Sequence, residues 1–152
     1  MKTNEVTGRF KQGEIGFGLE FGRPGVGCRL KETEPAIGKL TGIGVVLEPN
    51  NPLTQLIEDP KTGRLRSDVR EEKVLSAIVE AVTPLSRAQQ VFQAVFEIAE
   101  LTQTVFSLGV IGTVNADGAF PHIDEMKKAG LSPSINGKTN LGLGRPLYQG
   151  GC

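Results

Sequence analysis

The segment Ser86–Leu108, SRAQQVFQAVFEIAELTQTVFSL, sets the expected architecture of the whole chain. Ser86 stands three residues before Gln89, the spacing of a capping box in which each side chain satisfies an end amide of the other residue. Gly109 follows as a stop. Between these signals Gln90, Gln93, Glu97, Glu100, Thr104 and Ser107 recur at steps of three and four and draw one narrow polar stripe along a helix. Almost everything else is apolar, including Val91, Phe92, Val95, Phe96, Ile98 and Phe106. The spacing therefore predicts a helix over 86–108, apolar around most of its circumference and so buried.

Immediately upstream, Ser67 or Asp68 can cap a second helix through Val82, with Val74, Leu75, Ile78, Val79 and Val82 as its apolar face. Pro84 cannot continue that helix, because it lacks an amide and clashes with the preceding turn. Thr83–Ser86 becomes a tight connection and the two helices an αα-hairpin over 67–109. Further upstream, Leu53–Glu58 and Arg64–Arg66 can pair across Asp59-Pro60-Lys61-Thr62-Gly63, giving a hairpin within 49–66.

The first 48 residues read as strands in a glycine-rich arm. IGFGLEF alternates from Ile15 to Phe21, with Ile15, Phe17, Leu19 and Phe21 on one face and Gly16, Gly18 and Glu20 on the other. Val26, Cys28 and Leu30 repeat the alternation after Gly22-Arg23-Pro24-Gly25, where Pro followed by Gly suits a type II turn, so a hairpin is predicted. Glycine on the second face allows close approach by another layer. A third strand is predicted over Lys39–Leu47, ended by Glu48-Pro49-Asn50-Asn51-Pro52. Downstream of the main helix, 110–130 reads as a short strand and turn, then a helix that starts at Pro121 and stops at Gly130. From Leu131 to Cys152 only isolated apolar anchors remain, Leu141, Leu143, Leu147 and Tyr148 among them, and an extended tail is expected.

Glycine usage sharpens this division. Ten of the 20 glycines lie between Gly8 and Gly44 and nine between Gly109 and Gly151, so a helical centre is flanked by two arms with little to pack. The expected class is α+β in one domain over 1–152: N-terminal antiparallel β-strands and hairpins packed on a central αα-hairpin, with extended Gly-rich N- and C-terminal arms.

Composition excludes several functions. Charge is balanced, 17 Lys plus Arg against 17 Asp plus Glu, so no global field draws nucleic acid or an anionic membrane. The most charged run, Lys61–Lys73, mixes both signs and reads as solvated surface. With no Trp and one Tyr there is no aromatic and basic interleaving, and no direct sequence-specific nucleic-acid binding is expected. The first ten residues, MKTNEVTGRF, hold no apolar run of the secretory kind, so synthesis for the cytoplasm is expected. Val91–Val114 is about long enough to span a bilayer. Glu97 and Glu100 would then sit near its centre at about 3 kcal/mol each, so no membrane is expected as a partner.

Motifs with chemistry are sparse. Asn136-Gly137-Lys138-Thr139 ends like a P-loop, but Ser132 stands where the first glycine belongs and no helix follows. Gly16-Phe17-Gly18 and Gly25-Val26-Gly27 lack the spacing and the helix of a dinucleotide site. His122, the only histidine, has Asp117 and Asp124 nearby, but no serine or cysteine sits in a nucleophile elbow. Cys28 and Cys152 make no metal set; two free thiols are the plain reading, and a bridge within or between chains is the other. Glu97 and Glu100 are either a buried pair with raised pKa values or part of a stripe that faces water or an inter-subunit channel, and the stripe is favoured. No catalytic, cofactor-binding or metal residues are therefore assigned, and no cofactor.

The expected function is a non-enzymatic building block of a large homo-oligomer, a bacteriophage virion protein such as a capsid decoration, head or tail component. Identical subunits would meet through the terminal arms and the apolar helix 86–108, with other virion proteins as further partners and with virion or cytoplasmic assembly. The helix asks for more cover than one neighbouring helix of about 16 residues supplies. Two alternatives stand beside this. One is a small oligomeric enzyme or ligand-binding subunit using the glycine-rich loops and His122; the other is an adaptor that holds a partner helix on Phe92, Phe96 and Phe106.

Overall fold

The alternation read over 15–21 forms the first and central strand, β1 (Glu14–Phe21), in a computed structural model that describes residues 10–23 and 25–135. After it come β2 (Cys28–Arg29), a 3₁₀ turn at Leu30–Thr33, α1 (Glu34–Gly42) and β3 (Val46–Leu47). A connecting region holds a 3₁₀ turn at Thr54–Leu56, β4 (Ile57–Asp59), β5 (Arg64–Leu65) and β6 (Lys73–Val74). The chain then runs through β7 (Ala77–Pro84), a 3₁₀ turn at Leu85–Arg87, α2 (Ala88–Leu101), β8 (Phe106–Gly112) and α3 (Pro121–Lys128).

One four-stranded sheet, ordered β3-β7-β1-β8 and antiparallel throughout, carries the fold. Counting only the sheet strands, the chain order is β1-α1-β3-β7-α2-β8, two interleaved βαβ units in the split βαβ connectivity. Ile15, Phe17, Leu19 and Phe21 on one face of β1 are each 0% exposed, and Ala77, Val79 and Ala81 of β7 continue that face. Ala36, Ile37 and Leu40 of α1 and Val91, Phe92 and Ile98 of α2 join them in one core. Phe17 meets Phe92 edge to face, with ring centroids 5.5 Å apart at 82°. The protein is thus α+β: the four-stranded antiparallel sheet has helices gathered on one face, and β2-β6 and β4-β5 form two short two-stranded sheets beside it.

The glycines of β1 serve the opposite face. A Cβ at Gly16 would lie 2.5 Å from Ile111 Cγ2 of β8 and 3.5 Å from the ring of buried Phe10. The predicted close approach is made here by side chains lying across the strand.

Several predicted elements are corrected. Residues 67–82 are not a helix: 66–72 turn, and β7 pairs with β1 over its full length, from Glu14 opposite Pro84 to Phe21 opposite Ala77. The αα-hairpin over 67–109 is therefore a strand followed by a helix. The β-branched run Ile78, Val79, Val82 and Thr83 favours a pleated strand, and Pro84 sits at its end, where a missing amide is tolerated.

The predicted strand 39–47 instead begins as the last four residues of α1 and continues through a turn at 43–45, with only Val46–Leu47 a strand. Cys28–Arg29 pairs with β6 and not with β1, so the first hairpin is only a turn, in which Val26 and Gly27 amides donate to Gly22 O. Residues 14–47 thus supply the sheet's centre and a helix, not an arm. The main helix ends at Leu101, where Thr102 is extended and its Oγ1 donates to Ile98 O at 2.7 Å. Gly109 is no stop; it lies in mid-strand opposite Gly18. Nor is the capping box formed. The helix starts at Arg87 without a side-chain cap, and Gln89 Nε2 donates instead to Glu125 Oε2 of α3 at 2.7 Å.

The β4–β5 hairpin and α3 stand where they were read, with Pro121 in the first turn of α3 and Gly130 at φ 75° after it. The N-terminal residues 1–9 and the tail from 136, with Asn136–Thr139 and Cys152, lie outside the described residues, as does Pro24 of the predicted turn.

Candidate functional site

The catalytic candidate His122 lies in the first turn of α3, packed flat against β8. Gly112 makes this possible, since a Cβ there would fall 2.2 Å from His122 Nδ1. That nitrogen is buried and has no hydrogen-bond partner among the described residues. Phe120 stands edge-on to the ring at a centroid distance of 6.2 Å. Neither neighbouring aspartate orients it. Asp117 Oδ1 accepts from the Ala119 amide at 2.9 Å and closes the turn before α3, while Asp124 faces Lys127 at 4.0 Å. A general base needs an accessible nitrogen and an orienting partner, and His122 has its Nδ1 against a glycine.

Burial pushes the His122 pKa below its ordinary value, with Asp124 pulling weakly the other way. The unfolded chain then binds a proton more readily than the folded one, so stability is complete above about pH 6.5 and falls as pH drops below it. Urea unfolding midpoints between pH 7.5 and 5.5 are expected to decline in the wild type, and His122→Phe is expected to flatten that decline. Loss from the paired carboxylates comes at lower pH. Lys128 and then Gln89 hold Glu125 below the usual carboxylate range.

The glutamate stripe does not form a buried pair. Glu97 is joined to Lys39 of α1, and Gln93 Nε2 donates to it at 3.4 Å; Lys39 and then Gln93 hold its carboxyl below the ordinary range. Arg87, at the head of the same stripe, donates to the Gly44 and Ile43 carbonyls and to Gln90 Oε1. The stripe thus locks α2 to the end of α1 at the surface.

Cys28 is buried in β2, and burial followed by the nearby Glu32 pushes its thiol pKa up, away from a reactive thiolate. The charged run is neutralised pairwise: Arg64 meets Glu58, Arg66 meets Asp68, and Arg70 meets Glu34. No group of three or more potential metal ligands, and no helix long and apolar enough to cross a membrane, occurs among the described residues.

One polar cluster was not legible in the sequence. Glu48, Asn51 and Glu80 are buried together beside β3: Asn51 Nδ2 donates to Glu80 Oε2 at 2.9 Å, and the Glu48 amide donates to Glu80 O at 2.8 Å. Glu48 Oε1 accepts from the Asn50 amide and Asn51 Oδ1 from that of Leu53, both at 2.9 Å. These bonds pin the 48–53 turn to β7. The run Glu48–Pro52 gave only a strand-breaking signal.

What the surface offers is apolar. Phe96, Leu101, Val105, Val114 and Phe120, five of the nine exposed large hydrophobics among the described residues, lie in the segment that enters, flanks and leaves β8. Phe96 is seven residues from Gln89 and so shares its helix stripe, the one turned toward α3. Of the adaptor set, Phe92 is buried in the core and Phe106 stacks on Phe21 at 5.1 Å, leaving Phe96 alone exposed. Comparison with protein-family models, with curated proteins and with solved structures finds no match to this chain.

Proposed function

We propose that this chain is a non-enzymatic structural subunit that acts by assembling with copies of itself. The observation that carries the reading is the concentration of exposed apolar side chains in the one segment that enters, flanks and leaves the edge strand β8, where scattered exposure would need no explanation. The enzyme reading gains no support from His122, whose buried Nδ1 lies against Gly112 and which neither Asp117 nor Asp124 orients. A bacteriophage virion, as a capsid decoration, head or tail component, is the setting we assign, on architecture alone. Lacing by the tail from Leu131 onward belongs to the same proposal.

The test is the mass of the full chain by light scattering across a dilution series, with negative-stain microscopy of the same sample. Regular species larger than one subunit are expected. A monomer at every concentration would overturn the reading.

A further inference from the structure

The two edges of the sheet are built differently. At one edge β3 has only two residues and is followed at once by Glu48-Pro49, a short strand ended by a charge and a proline. Those are the devices by which native sheets blunt an edge. At the other edge β8 has seven residues, paired to β1 in unbroken register from Phe106 to Gly112, and none of them is fully buried. It has no bulge, no proline and no charge. The uncharged stretch is far longer than the strand, running from Leu101 to Ala116.

The free backbone groups of that edge can be assigned. Gly22 N–H donates to Val105 O at 2.8 Å, so residues 22 and 105 form a hydrogen-bonded pair one step beyond Phe21 and Phe106. Hydrogen-bonded pairs alternate along an antiparallel ladder, so Ser107, Gly109 and Ile111 turn their amides and carbonyls to β1. Those of Phe106, Leu108, Val110 and Gly112 point away from the sheet. None of them has a backbone partner among the described residues.

We infer that β8 pairs with β8 of a second copy around a two-fold axis at Gly109, extending the four-stranded sheet to eight strands across the interface. The inference rests on the building-block reading and names the contact through which it works. A second copy is the occupant for two reasons. Self-pairing sets the stretch against a reversed copy of itself, and residues 101–116, which carry no charge, bring no like charges together there. Pairing about Gly109 also sets Phe106 opposite the partner's Gly112 and Leu108 opposite the partner's Val110, bulk against space and apolar against apolar. The outward groups then form hydrogen-bonded pairs throughout.

Surface area agrees with this. Phe96, Leu101, Val105, Val114 and Phe120 are 42–61% exposed. At 150–200 Å² per side chain they offer about 400 Å² per subunit, roughly half of a standard interface of about 800 Å² per partner, with the strand to add.

Proline at position 110 separates the pairing from the fold. The Val110 amide points outward, so Val110→Pro removes no bond to β1 but blocks the partner strand. The double variant Ser107→Cys with Ile111→Cys supplies the converse probe. These residues face each other across the proposed axis as a non-hydrogen-bonded pair, at about 4.5 Å between Cα atoms and within disulfide reach. Both are made in a Cys152→Ser background and compared by sedimentation equilibrium, circular dichroism and non-reducing electrophoresis.

The expected result is that Val110→Pro stays folded while its self-association midpoint moves to at least about 100-fold higher concentration, and that the double cysteine variant oxidises to a covalent dimer. If Val110→Pro fails to fold, the crosslink alone decides. An assembling wild type with unchanged association in Val110→Pro and no crosslink would overturn the pairing and leave the building-block reading standing. A wild type that is monomeric throughout would overturn both, and leave the edge to residues 136–152 or to another protein.

Discussion

Gly63→Ala is expected to destabilise the protein by about 4 kcal/mol, from a strained backbone together with a steric overlap that has no easy relief. Gly63 adopts φ 78°, and a Cβ built on it would lie 2.3 Å from Glu34 O and 2.4 Å from Gly38 N. Both are backbone atoms of α1, so no side chain can swing aside. Gly38 answers from the helix, where a Cβ would meet Thr62 O at 2.5 Å. The two glycines thus let the β4–β5 turn lie directly on α1. The seam is then tied by Thr41 Oγ1 donating to Pro60 O at 2.6 Å and by the Leu65 amide donating to Glu34 Oε1 at 3.0 Å.

With an m-value of about 2 kcal/mol/M in urea, the unfolding midpoint should fall by about 2 M, and the Tm by about 10 °C. Gly118→Ala separates strain from overlap. Gly118 has φ 82° with nothing within 4 Å of a new Cβ, so about 1 kcal/mol is expected there. Equal losses at the two positions would show that the α1 seam carries no special weight.

The seam also shows why part of this fold was legible and part was not. β1 was readable because its alternation puts β-branched and aromatic residues on one face and glycine on the other, a pattern no helix shares. α3 was readable because Pro121 and Gly130 bracket it. β7 was misread because Ala77–Val82 satisfies two periods at once: residues 74, 75, 78, 79 and 82 fit a helix face, while 77, 79 and 81 are the residues the sheet buries. Only pairing with β1 decides between them.

α1 did carry a signal, Pro35 in the first turn with Ala36, Ile37 and Leu40 on one side, but in nine residues with two glycines it competed with the alternation of 43–47. The boundary at Leu101 was invisible because the polar stripe continues in step through Thr104 and Ser107. The candidate site fares similarly. His122 was visible as a residue, but its seat against Gly112 depends on a contact between elements. The unpaired edge of β8 is a property of strand order, which no local pattern encodes.

Phe17→Ala is expected to cost about 4 kcal/mol, the usual loss for truncating a buried phenylalanine with incomplete collapse of the cavity. Phe17 is 0% exposed at the middle of β1, facing Ala81 of β7 and Val110 of β8 in register and standing edge-on to Phe92 of α2. The ring therefore touches the sheet's two long neighbours of β1 and the principal helix, and relaxation in one direction opens space in another.

A double-mutant cycle with Phe92→Ala should return a coupling of about 1 kcal/mol, the part belonging to the aromatic pair beyond burial. Additivity of the two losses would mean that the rings contribute only as separate volumes. The substitution also bears on assembly, because Val110 faces the same core on one side and turns its amide to the free edge on the other. A loosened seat under Val110 widens the range of positions the edge can occupy before a partner strand fixes it. Self-association should therefore weaken in Phe17→Ala even under conditions where the subunit remains fully folded. Association unchanged from wild type at matched folded concentration would show that β8 holds its edge independently of the core beneath it.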